Sequence, residues 1–295
     1  MESFTQKIKE KVTFENVLAT AMRTPGVKIN RAKFLRKELL KYCSEDVIEE
    51  AVKTNPAKAG ISKETVNEIS LHVINLETAK VSSVSAIASL PGGPAVVAAT
   101  AADITNYFVF VLRAVQELAY LYGFEQFEFS ENDLDSETMS YVLIFIGVMF
   151  GVQGSTTVLK NFANTFAKHV SKKLVQKALT KGTVYPIVKD VAISVGVRMT
   201  KQIFANGVAK AIPVLGAVGS GGLTYFFFKP GCMKLREQLM SYNLCDPEYY
   251  KTADTEAADV NAEDECEDEC EREFDSDYDG ECDGKCDLGT ESEAA

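Results

Sequence analysis

Three stretches of this chain carry no charged residue, and each is interrupted by residues that break helices. Val81 to Ala102 runs 22 residues without a charge but contains Leu90-Pro-Gly-Gly-Pro94. Two prolines and two glycines in so short a span cannot continue a helix, so the stretch reads as a helical hairpin with a tight turn. The second stretch, 138–159, is also 22 residues long and carries Gly147, Gly151 and Gly154, a small-residue spacing that lets a neighbouring helix approach closely. The third, Ala211 to Phe228, is 18 residues long and holds Pro213, Gly216, Gly219, Gly221 and Gly222. A bilayer needs about 20 unbroken apolar residues. The 138–159 stretch comes nearest to a span, yet Gln153, Ser155, Thr156 and Thr157 make its end polar. Broken apolar runs fit the core of stacked hairpins better than true spans.

The intervening segments carry helix signals. Asn30 is placed to cap a helix from about Arg31 to Tyr42, and Ser44 the next, which should end near Asn55-Pro56. Ser62 reads as a further cap, with Ile61 and Val66 as a hydrophobic staple. Val66, Ile69, Val73 and Leu76 then follow at helical spacing. The arm from about Ala95 to Gly123 is apolar except for Asp103, Asn106, Arg113, Gln116, Glu117 and Tyr120. At 100° per residue these six fall within an arc of about 140°, which predicts a mostly buried helix with one wet or networked side. From Leu159 to Leu179, Leu159, Phe162, Ala163, Phe166, Val170 and Leu174 face one way, and six lysines between Lys160 and Lys181 accompany them. Pro186 is placed to open another helix to about Lys210, and a last helix lies around Met233–Met240. No strand alternation of useful length occurs. The expected fold is all-α: a helical-hairpin bundle with a Gly/Ala-rich apolar core, with two hairpin halves centred near Pro91 and Gly216.

Charge divides the chain more sharply than hydropathy. Residues 252–295 hold 19 acids against Arg272 and Lys285, a charge of −17, while the rest carries +6. The expected organisation is an extension over 1–20, a helical domain over 21–250 and a disordered acidic tail over 251–295. Such a tail competes with any nucleic acid for the basic body, so nucleic-acid binding is not expected. The N-terminus lacks an apolar signal segment, which suggests a cytoplasmic chain with Cys43, Cys232 and Cys245 reduced.

Chemical motifs are sparse. His72 and His169 have no third ligand at useful spacing for zinc, and Gly216–Gly222 lacks the Lys-Ser/Thr of a phosphate-binding loop. In the tail, Asp275, Asp277, Asp279, Glu281 and Asp283 surround Gly280 in the manner of a calcium loop, with acids at positions 1, 3, 5 and 9. Cys286 stands where such a loop needs its bidentate glutamate, and two Cys-x-x-x-Cys pairs, 266/270 and 282/286, match no zinc module. Calcium in the tail therefore stands beside the alternative that an acidic, disordered tail produces such patterns by composition. On the Asp103 helix, Arg113 and Glu117 fall at i,i+4 and should pair; Asp103 is about 15 Å further along and cannot reach Arg113. This stripe reads as an ion-pair network that holds the fold, with an enzyme site as the alternative.

Several of these stretches, taken together, resemble the EcsC protein family: Pro25-Gly-Val-Lys-Ile-Asn-Arg-Ala-Lys-Phe-Leu-Arg-Lys-Glu-Leu39, Leu90-Pro-Gly-Gly93, Ala102-Asp103, Leu112-Arg-Ala-Val-Gln-Glu-Leu-Ala-Tyr-Leu-Tyr-Gly123, Ile212-Pro-Val-Leu-Gly216 and Ser220-Gly-Gly-Leu-Thr-Tyr225. The resemblance spans roughly 20–240 and leaves out the tail. The family takes its name from a bacterial operon that also encodes ABC-transporter components. It implies a bacterial, intracellular protein, peripheral to the membrane or to such a transporter, and it brings no catalytic residues with it. The expectation is thus a non-enzymatic protein at the cytoplasmic face of a membrane, whose lysine-rich helix could meet anionic lipid.

Overall fold

Caps and glycines set the helix boundaries, and the computed structural model shows which of them act. It describes residues 14–88, 95–127, 137–168, 189–191, 193–194 and 228–252, with backbone only at 15, 84–88, 95–103 and 137–139. Seven α-helices follow in order: α1 Phe14–Arg23, α2 Arg31–Leu39, α3 Glu45–Lys53, α4 Lys63–Ala88, α5 Ala95–Leu121, α6 Glu137–Phe150 and α7 Ser155–Ala167. Further helices cover 228–240 and 247–252, with a 3₁₀ turn at Asn243–Cys245 between them. The fold is all-α, and there is no strand among the described residues. The chain divides into two units, Met1–Tyr250 and Lys251–Ala295. Almost all of the second, with its Asp275–Asp283 pattern, lies outside the described residues. So do the Leu90–Pro94 break, most of the lysine-rich segment beyond Lys168, and the 211–227 stretch with the second hairpin half.

Asn30 caps α2 as its sequence suggests: its side chain accepts a hydrogen bond from the Lys33 N–H at 2.9 Å. The helix ends at Leu39 rather than Tyr42, because Tyr42 and Cys43 fold their N–H groups back onto the Leu39 carbonyl. Ser62 Oγ accepts from the Thr65 N–H at 3.2 Å, with Ile61 and Val66 buried beside it. Ser44 differs from expectation, since it stands at the N-cap without a side-chain cap. Glu45 and Asp46 in the first turn supply the negative charge that the helix dipole favours there.

One residue of the expected α4 stripe is displaced. Val66, Ile69 and Val73 are buried, but Leu76 is 38% exposed and Glu77 is buried in its place. A helix turns 3.6 residues per cycle, so the inner face continues from Val73 to Glu77, and a leucine one position earlier rotates outward. The α4 helix runs along α5, which packs against α1 on another side. Around α5, Val111, Leu112, Val115, Leu118 and Ala119 are fully buried. Each valine or leucine of this size contributes about 1.5–3 kcal/mol by leaving water.

The α5 helix ends at Gly123, whose φ of +97° only glycine adopts without strain. There the Gly123 N–H donates to the Tyr120 carbonyl and the Phe124 N–H to the Ala119 carbonyl, a paired closure of the last turn. The same pattern closes α6: Gly151, with φ +69°, donates to the Val148 carbonyl, and Val152 donates to Gly147. The 138–159 stretch is therefore two helices, α6 and α7, packed on each other across a turn. No helix among the described residues is long and apolar enough to cross a membrane.

Gly147 allows the close approach that its spacing suggests. A Cβ there would overlap Ser155 Oγ and stand 2.6 Å from Val191 Cγ2. Gly147→Ala is expected to destabilise the chain by about 1–3 kcal/mol despite alanine's better helix propensity, read as a lower urea midpoint. An unchanged midpoint would show that this contact relaxes freely.

Candidate functional site

The polar stripe of α5 turns inward. Tyr120, Gln116 and Glu117 are buried and Arg113 is half-buried, while Asn106 lies partly exposed; the Asp103 side chain is outside the described residues. Arg113 Nη2 donates to Glu117 Oε1 at 3.2 Å, the i,i+4 pair expected from spacing. It also meets Glu77 on α4, with Nη2 3.3 Å from Oε1 and Nε 3.3 Å from Oε2. Lys80 Nζ approaches the same Glu77 Oε1 at 2.7 Å from the solvent side. Two carboxylates and two cations thus form one cluster between α4 and α5.

Glu77 lies outside the polar stripe expected from the sequence. Its one available signal was the spacing of four from Val73, which puts a carboxylate on an apolar face and so calls for a buried partner. A fully buried glutamate is tolerated there because the Arg113 fork offers it two N–H groups and Lys80 a third. Glu117 is less well served. Its Oε2 is buried without a hydrogen-bond partner, and burial raises its pKa to about 8, with the neighbouring Glu77 charge acting in the same direction. Arg113 and Lys80 oppose that shift, and Glu38 adds to it. The Cys232 thiol, fully buried on the 228–240 helix, is pushed up by burial and by the charges of Glu117 and Glu77.

A carboxyl whose folded pKa lies above its unfolded one holds its proton more tightly when folded. Its contribution to stability is complete below the ordinary glutamate pKa and is lost as pH rises toward about 8. Unfolding free energy should therefore fall between roughly pH 5 and 8, and Glu117→Gln should flatten that slope. Equal slopes in the two proteins would show that Glu117 stays ionised throughout.

The same stripe holds the loop before α2. Arg113 Nη1 donates to the Gly26 carbonyl at 2.5 Å, and Gln116 Nε2 to the Val27 carbonyl at 2.8 Å. In return the Ile29 N–H donates to Gln116 Oε1 at 2.9 Å. Tyr120 Oη accepts from the Phe127 N–H at 3.1 Å. Arg31, at the start of α2, is buried and donates to the carbonyls of Ala51, Val52 and Thr54 at the end of α3 and to that of Phe124 after α5. The 25–31 and 113–126 segments, 87 residues apart at Arg113 and Gly26, interlock through these bonds.

Beside the cluster, α2 and α4 enclose a groove of about 270 Å³ lined by Lys37, Glu38, Lys41, Tyr42, Glu68, Ile69 and His72. Tyr42 Oη donates to Glu68 at 3.2 Å, and Lys37 pairs with Glu38 at 2.7 Å. The Glu38 hydrogen bond and the charges of Glu117 and Glu77 raise the Lys37 amine. Leu40, next in sequence to the groove-lining Lys41, is 72% exposed, and Tyr42 is 41% exposed. Among the described residues, no group of three or more His, Cys, Asp or Glu side chains comes together to hold a metal. Compared with family models, curated proteins and solved structures, the chain matches none.

Proposed function

We propose that this is an EcsC-like helical protein that works without chemistry of its own, peripherally at the cytoplasmic face of a membrane or on a transporter there. The observation that carries the reading is the α2 edge. Leu40, an exposed leucine, stands beside Tyr42 and is accompanied by exposed Lys33, Lys37 and Lys41. An exposed leucine in a segment with three exposed lysines suits an anionic interface, where each lysine adds about 1 kcal/mol and a buried leucine adds apolar transfer energy. The inward-facing stripe supports the same reading, because Arg113 and Gln116 are engaged in joining two segments that carry the family resemblance.

Cell fractionation at low salt tests the proposal. The protein should sediment with membranes and be released by a salt wash. The variant Lys37→Glu/Leu40→Ser/Lys41→Glu should lower the bound share about tenfold or more. A protein wholly in the supernatant at low salt overturns the membrane reading; binding that is unchanged in the variant overturns the assignment to α2.

A further inference from the structure

The groove between α2 and α4 is lined by two lysines and two glutamates, and their charges are unequally answered. Lys37 and Glu38 meet at 2.7 Å, with the Glu38 side chain only 11% exposed. Lys41 and Glu68 are left over. Among the described residues no carboxylate pairs with Lys41 and no cation with Glu68, so the two stand more than about 4 Å apart. Glu68 accepts instead from the neutral Tyr42 phenol at 3.2 Å. Burial, then the charges of Glu68 and Glu38, hold that phenol above its usual range, so it stays protonated as the donor. Ile69, which also lines the groove, is buried and adds an apolar surface.

One positive and one negative charge, each without an ionic partner and too far apart to meet, select a ligand that carries both signs. A plain anion would meet Glu68, and a plain cation would meet Lys41. At about 270 Å³ the groove lies below the range that drug-sized ligands occupy and suits a small zwitterion. We infer that it binds the headgroup of an ethanolamine phospholipid, phosphate at Lys41 and primary amine at Glu68, an assignment that rests on the membrane role proposed above. A primary ammonium brings N–H donors for the Glu68 carboxylate, and a quaternary choline brings none. Leu40, next to Lys41 in sequence and 72% exposed, favours a lipid over a free metabolite, because only the lipid offers it an apolar phase.

Sedimentation of the full-length chain with two sets of vesicles tests the assignment. One set holds phosphatidylglycerol in phosphatidylcholine, the other the same share of phosphatidylglycerol in phosphatidylethanolamine. Binding should be about tenfold tighter to the ethanolamine set, and Glu68→Gln should abolish that difference. Bulk electrostatics predicts the opposite sign for this variant, since removing a negative charge strengthens adsorption to an anionic surface. Glu68 is exposed, so its substitution leaves the fold in place. Excess soluble phosphoethanolamine should displace the protein from the ethanolamine vesicles, and phosphocholine should not. Equal binding to both sets, or an ethanolamine preference that survives Glu68→Gln, would overturn the headgroup site and leave the membrane role standing. Calorimetric binding of soluble phosphoethanolamine without any preference between the vesicle sets would refute the lipid source. Absence of binding to either set would remove the membrane role and this assignment with it.

Discussion

Arg113→Met should lower unfolding stability by about 3 kcal/mol, because it strips the cation that two buried glutamate side chains share. Glu77 would keep only Lys80, and Glu117 would lose the charge that restrains its upward pKa shift. The loop at Gly26 would also lose its tie to α5. The loss sits at the low end for a broken buried pair, since Lys80 remains beside Glu77 and Glu117, its pKa raised to about 8, is already largely protonated at pH 7. Urea denaturation at pH 7 measures it. The triple replacement Glu77→Gln/Arg113→Met/Glu117→Gln should recover part of the loss, because no buried charge is then left without a partner. A shift below about 0.5 kcal/mol in Arg113→Met, the range of an ordinary surface change, would rule out the cluster as a stabilising element.

Arg31→Met is expected to cost a similar or larger amount, about 3–4 kcal/mol. Four carbonyl oxygens lose their donor, those of Ala51, Val52, Thr54 and Phe124, at 3.3, 2.7, 2.9 and 3.0 Å. Those of the α3 terminus can turn partly to water, whereas the Phe124 carbonyl lies within the body. Arg31→Lys should rescue little, because a single ammonium cannot reach acceptors spread around the edge of a planar guanidinium. Amide hydrogen exchange would locate the damage: faster exchange at 51–54 and 122–127, with α4 unchanged. Uniform acceleration across the chain, or full rescue by lysine, would refute this bridging role.

Much of the helix order was legible because its signals are local. Asn30 and Ser62 accept from N–H groups three residues on, so their effect needs no tertiary context. Gly123 and Gly151 stop helices through their own backbone freedom. The Arg113–Glu117 pair follows from helix geometry alone. Ser44, by contrast, has the right residue type at the right position and still makes no cap. The Leu76 expectation failed for a related reason. Periodicity places a hydrophobic stripe to within a residue, and near its edge only the neighbouring helix decides which side chain turns inward.

Glu77 and Arg236 were not legible in that way. Glu77 becomes a site residue only because α5 brings Arg113 to it across 36 positions, and Arg236 meets Ser70 across 166. From its amino acids alone this chain specified an all-helical body with broken apolar runs and a polar stripe along its longest helix, since capping, glycine conformations and 3.6-residue periodicity act within a few residues. Tertiary structure alone decided which charges meet and which face of the stripe is buried. Those outcomes depend on desolvation and on distances between side chains remote in sequence, and a linear pattern carries neither.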